Sequence, residues 1–192
     1  MTEPRVPHRT VDQLVQRGKH IWDRFETVAG GRHHLFVPCD QVAVYRALEP
    51  LAENGGTFLE LGSAAGVVTI LADLLGLESY GIEIEPWLVP QSNALAKEFD
   101  SDATFVEGSF VPFDYRDEIE NLDSERITPT EGDDAYDEIG MQLDAFDLVF
   151  AYPWPGEEDW LYELMRRHAR PDATLLTYDA QDGCRSEAVR RL

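Results

Sequence analysis

TFLELGSAAGVVTILADLLG, residues 57–76, decides the fold. A short apolar run carries the acid Glu60, the small-residue turn Gly62-Ser63-Ala64-Ala65-Gly66 follows, and then comes an apolar segment long enough for a helix. A strand, a tight turn and a helix N-terminus in that order form the arrangement that cradles an adenosine-containing ligand in open α/β sheets. The strand is predicted over about 57–61 and the helix over about 66–75. The helix is apolar nearly all round, as suits one buried between a sheet and a covering layer.

Downstream the same alternation continues. Strands are predicted at 79–84, 103–107, 146–151 and 173–178, that at 146–151 being a nearly continuous apolar run suited to a sheet centre. Pro86 fits the first position of a helix running to about Phe99. Another helix should follow Tyr152-Pro153-Trp154-Pro155-Gly156, with Glu157, Glu158 and Asp159 in its first turn and Arg166, Arg167 and Arg170 in its last, matching the helix dipole at both ends. This order predicts an α/β fold with a mostly parallel sheet and helices on both faces. After Tyr178 only a short polar tail remains, read as helical.

Between Pro112 and Ala145 the alternation lapses. Residues 112–145 are expected to form an acidic insertion with one or two short helices and a flexible middle around Thr128–Gly132. Upstream, Thr10 and Gln13 have capping-box spacing. Val11, Leu14, Val15, Ile21, Trp22, Phe25 and Val28 make one helical stripe, and Gly30-Gly31 should stop it. Asp40 reads as the N-cap of a second helix. Residues 1–53 are thus a helical cover on a core at 57–178, all in one domain. The loop between the two helices holds His33 and His34, which are either surface residues or an active-site base.

Net charge is −21, and residues 114–147 hold 13 of the acids against two arginines. Such a field repels phosphate backbones and anionic membranes, so nucleic acid and membrane are unexpected partners and cationic or neutral substrates are favoured. Solubility or salt adaptation would explain the charge equally. No apolar run reaches the roughly 18 residues of a membrane span, and no signal peptide is visible. Cys39 and Cys184 have no zinc spacing, so no metal is expected; two free thiols suit a cytoplasmic protein.

Two ligand classes use such a turn. The dinucleotide fingerprint needs glycine at three places, here occupied by Gly62, Ala64 and Val67, and two of the three fail. Glu60, Gly62, Ala64 and Gly66 fit an acid-x-Gly-x-Gly-x-Gly pattern with one change. ELGSAAG at 60–66, YGIEIEP at 80–86, FVEGSF at 105–110 and AYPWPGEED at 151–159 together resemble four successive motifs of the class I S-adenosylmethionine-dependent methyltransferases.

The resemblance implies a Rossmann-like sandwich of strand order 3-2-1-4-5, apparently lacking the family's last two strands. That would leave the fifth strand with a free edge, which a homodimer could cover. It also implies S-adenosylmethionine as cofactor, held by Glu60, Gly62, Ser63, Ala64, Gly66, Glu83, Ile84, Ser109, Phe110 and Tyr152. Glu60 would hold the methionine ammonium through water, and Glu83 would take the ribose diol. Ser109 stands where the family usually has an adenine-binding Asp, with Phe110 available to stack.

Methyl transfer from a sulfonium mainly needs a positioned nucleophile and excluded water. Tyr152 and Trp154 would wall the transfer site. His33 or His34 would serve as base where one is needed, with Glu157 or Tyr152 as substitutes. The YPWP turn lacks the Asn or Asp of the base-methylating enzymes, so the implied acceptor is a small molecule or a basic protein segment. A non-catalytic cofactor-binding or scaffolding protein is the alternative, and a nicotinamide enzyme a more distant one.

Overall fold

A six-stranded sheet of order β3-β2-β1-β4-β5-β6 carries the fold. The computed structural model describes residues 5–29, 38–122 and 128–192. Its strands are β1 Thr57–Leu61, β2 Glu78–Glu83, β3 Thr104–Glu107, β4 Leu148–Ala151, β5 Thr174–Asp179 and β6 Gly183–Ala188. The first five are mutually parallel and β6 is antiparallel to β5. The expected order 3-2-1-4-5 is therefore present, extended by one strand.

The period of two along β1 divides the core. Phe58 faces a layer of α1 (His8–Ala29), α2 (Gln41–Leu51), α3 (Val67–Leu74) and α4 (Leu88–Glu98). Leu59 and Leu61 face α5 (Phe113–Leu122), α6 (Ala135–Ile139) and α7 (Glu158–His168). At the other end of β1, the Asp147 carboxylate accepts from Thr57 N at 2.8 Å and from Thr57 Oγ1 at 3.1 Å, locking β1 to the start of β4.

Four expectations need correction. The tail is mostly a strand in place of a helix: Asp179 accepts from Gln181 N and Asp182 N, Gly183 turns at φ +78°, β6 returns along β5, and only Val189–Arg191 makes a short 3-10 helix. The β5 edge is consequently paired, which removes the proposed dimer surface there. The first helix begins at His8, two residues before Thr10, so Thr10 is inside it and no capping box forms. Pro86 lies in a turn before α4 and does not open it. Asp40, by contrast, caps α2 as expected, accepting from Val42 N and Ala43 N.

The middle of the insertion is anchored where it is described. The Arg116 guanidinium donates to Gly132 O and Asp133 O, Ser109 N donates to Asp133 O, and Thr130 Oγ1 donates to Glu120. Residues 128–134 therefore run as a strap fixed to the end of β3 and to α5. No described helix is long and apolar enough to cross a membrane.

The first helix packs very closely on the third. A Cβ built on Gly18 of α1 would run into Val67 Cγ2 of α3. The contact sets α1 over the turn that precedes α3. Gly18→Val should force the two helices apart and cost about 2 kcal/mol, seen as a Tm roughly 4–8 °C lower in calorimetry for a chain of this length.

Candidate active site

The turn after β1 is built from left-handed residues. Gly62 has φ +79°, Ala64 +48° and Gly66 +78°. Ala64 bears a Cβ in that region, at a cost of roughly 1 kcal/mol. Its conformation explains why a glycine would suit the position. Gly66 has a second reason to lack a side chain, since a Cβ there would sit 2.5 Å from the Phe105 ring. A Cβ on Gly62 would meet nothing within 4 Å among the described residues, so this residue presents bare backbone toward the cavities. A ligand can approach the chain there without a clash.

Two buried carboxylates hold the turn. Glu60 shares the Phe58 face of β1, beneath α3, and its Oε2 accepts from Thr69 N at 2.9 Å and from Thr69 Oγ1. It is 5% exposed. Burial, opposed by the two Thr69 hydrogen bonds, pushes its pKa up to about 8. Glu83, at the end of β2, is 7% exposed; its Oε2 accepts from Ala64 N at 2.6 Å and its Oε1 from Glu85 N at 2.9 Å. Burial raises the Glu83 pKa, and the backbone donors oppose the rise. Each carboxylate oxygen has further lone-pair capacity to accept from a hydroxyl.

Two cavities meet at this turn. The larger, about 570 Å³, is lined by Gly62, Ala64, Glu83, Ile84, Ser109, Phe110, Tyr152 and Trp154 among others. It lies within the roughly 300–1,000 Å³ range of small-molecule sites. The smaller, about 310 Å³, is lined by Glu60, Ser63, Cys39 and Asp40 among others. Gly62, Ala64, Trp22 and Tyr152 border both. The sequence-assigned residues thus come together, except that Glu60 and Ser63 face only the smaller cavity and Gly66 is buried in packing beneath the turn. His33 and His34 lie outside the described residues.

Individual side chains refine the expectations. The Ser109 hydroxyl accepts from Val111 N at 3.2 Å, so it is turned to its own loop. Phe110 stacks on Trp160 with an interplanar angle of 12°. Burial raises the Tyr152 pKa, with Tyr178 and Cys39 adding to it, so its phenol stays protonated at neutral pH and is a poor base. Glu157 is 6% exposed and accepts from Thr128 N and Thr128 Oγ1. It ties the strap to the start of α7, in place of a solvated role at a helix end. Among the described residues no cluster of three potential metal ligands is present.

Several wall residues escaped the sequence reading. Trp22 and Phe25 of α1 line the larger cavity as well as packing in the core. Their helical spacing signalled only burial. Thr128 and Pro129 come from the strap and Trp160 from α7. Trp160 carried one usable signal, a large aromatic amid the charged first turn of a helix. Its Nε1 is buried and has no hydrogen-bond partner among the described residues.

Parallel order, turn and strand-end acid together define the class I methyltransferase fold. An RNA methyltransferase from Salinibacter ruber, solved with S-adenosylhomocysteine, is similar over 74% of this chain and 78% of its own, with TM-score 0.54 and 22% identity. A methyltransferase from Podospora anserina bound to S-adenosylhomocysteine matches over 86% of this chain and 61% of its own, with TM-score 0.52 and 14% identity. In sequence, ribosomal protein L11 methyltransferase from Thermus thermophilus is 36% identical over 91 residues, 44% of this chain. The match spans 34% of that relative's length. No family model matches.

The raised Glu60 pKa has a consequence for stability. A carboxyl protonated more readily when folded contributes stability that is full below its unfolded pKa, about 4.5, and is lost as pH rises to about 8. The Tm difference between wild type and Glu60→Gln, followed by calorimetry from pH 5 to 8, should therefore move steadily against the wild type. A pH-independent difference would show that Glu60 titrates normally.

Proposed function

We propose that this chain is an S-adenosylmethionine-dependent methyltransferase acting on a small molecule or a basic protein segment. The carrying observation is Glu83. Its two oxygens are each pinned by one backbone N–H, and the side chain lines a cavity floored by the bare backbone of Gly62. A carboxylate so held fits a vicinal diol, the recognition element of a ribose. S-Adenosylmethionine, when bound, supplies a methyl group already activated by its sulfonium.

The chain's own residues then have positioning work. Gly62 and Ala64 allow close approach to the turn, Ile84 and Phe110 offer apolar surfaces for a flat base, and Tyr152 stands where the two cavities join. Glu60, bonded to Thr69, holds the turn to α3 and faces the smaller cavity, where a methionine portion would lie. The S-adenosylhomocysteine in the structural relatives and the methyltransferase with partial sequence identity support this reading.

A second reading, a non-catalytic cofactor-binding protein, is favoured by Ser109, whose hydroxyl serves Val111 where an adenine-binding acid would be expected. Both readings require cofactor binding, and only the first requires methyl transfer. Titration calorimetry with S-adenosylhomocysteine should show binding by the wild type and at least about tenfold weaker binding by Glu83→Ala, a loss of roughly 1.4 kcal/mol. Absence of wild-type binding, or equal binding by the variant, would sink the cofactor assignment.

A further inference from the structure

Ile84 follows β2, Phe110 lies beyond the end of β3 at Glu107, and both line the larger cavity. The acidic insertion touches both. Gly132 of the strap lies against Ile84, since a Cβ built on it would sit 2.9 Å from Ile84 Cδ1. The hydroxyl of Tyr136, a buried residue of α6, donates to Phe110 O at 2.9 Å. Between these points the insertion runs beside the chain that leaves β3, with Ser109 bridged to Asp134 in parallel. Ser109 N donates to Asp133 O at 2.9 Å, and a Cβ on Gly108 would meet that same carbonyl at 2.8 Å. Arg116 of α5 ties the two segments together, donating to Val111 O on one side and to Gly132 O and Asp133 O on the other.

These contacts lie beyond the C-terminal ends of β2 and β3, where the ladder of the sheet no longer fixes the backbone. The direction of the chain at Phe110 is set there by a phenol from the insertion. The Ile84 side chain is limited by a glycine that leaves no room for a methyl group between them. We propose that the insertion is part of the cofactor site, with Tyr136 and Gly132 as positioning residues that hold Phe110 and Ile84 against the base of S-adenosylmethionine. The inference rests on the proposed methyltransferase activity.

A binding wall must be held close to its working geometry by the residues behind it. A wall that had to be ordered as the ligand arrived would bind more weakly. The supporting contacts use backbone carbonyls, a phenol and a glycine, and no carboxylate takes part in them. The role of the insertion at the site is therefore separate from its charge.

The test uses the full chain and S-adenosylhomocysteine. Titration calorimetry should show binding weakened about fivefold or more by Tyr136→Phe, which removes only the hydroxyl. Gly132→Ala, which drives Ile84 Cδ1 aside, should weaken it by about as much. Gly55→Ala is the control for lost stability. It strains a φ of +69° in the turn before β1, at the end of the sheet away from the cavity, and should leave affinity within about twofold. In the wild type, S-adenosylhomocysteine should slow hydrogen exchange at 132–136 as well as at 108–111. That readout needs no variant, and an insertion with a merely structural role would not respond to the ligand. Affinity losses no greater than that of Gly55→Ala, or exchange at 132–136 unchanged by bound ligand, overturn the inference. Failure of the wild type to bind S-adenosylhomocysteine overturns instead the methyltransferase reading beneath it.

Discussion

Two carboxylates buried on either side of one short turn set the conditions for everything else in this molecule. Glu60 draws the turn toward α3 through Thr69, and Glu83 draws it toward β2 through Ala64. The backbone between them is forced into alternate left-handed residues. Burying acids is costly unless their oxygens are bonded, and here the donors are the backbone N–H groups of Ala64, Thr69 and Glu85 and the Thr69 hydroxyl. The turn is therefore stiff before any ligand arrives, so a ligand need not spend binding energy on ordering it.

Much of this was legible in the residues. The alternation of strands and helices gave the parallel sheet because each element's apolar period is simple. The order of Glu60, Gly62, Gly66 and Glu83 marked the site because such turns need small residues and strand-end acids at fixed places. Other features were hidden for physical reasons. Gly-Cys-Arg-Ser-Glu-Ala at 183–188 has no apolar alternation, since an edge strand with exposed side chains needs none, and its pairing is set by the Asp179 turn. Glu157 looked like a helix-dipole residue, and its partner Thr128 is far away in sequence. Nothing local in either residue announces that contact.

The insertion shows how one segment can have two characters. Its charge is mostly turned to water, whereas Thr128, Thr130, Ala135 and Tyr136 are buried. The apolar side of α6 completes the second core beside α5 and α7, and Thr128 and Pro129 of the strap line the larger cavity. A long acidic stretch thus helps to close a cavity wall while giving the surface around it a negative field. Composition reports the second property and conceals the first.

The contribution of α1 to the cavity has a thermodynamic consequence. Trp22 and Phe25 stand in the wall, and Gly18 sets how closely their helix lies on α3. A molecule filling the cavity therefore touches both the sheet and a helix that precedes the first strand. By linkage, its binding free energy is shared with the docking equilibrium of that helix. Occupancy of the site and attachment of the N-terminal layer are two readings of one equilibrium, so hydrogen exchange along α1 becomes a measure of ligand binding at a distance from the turn itself.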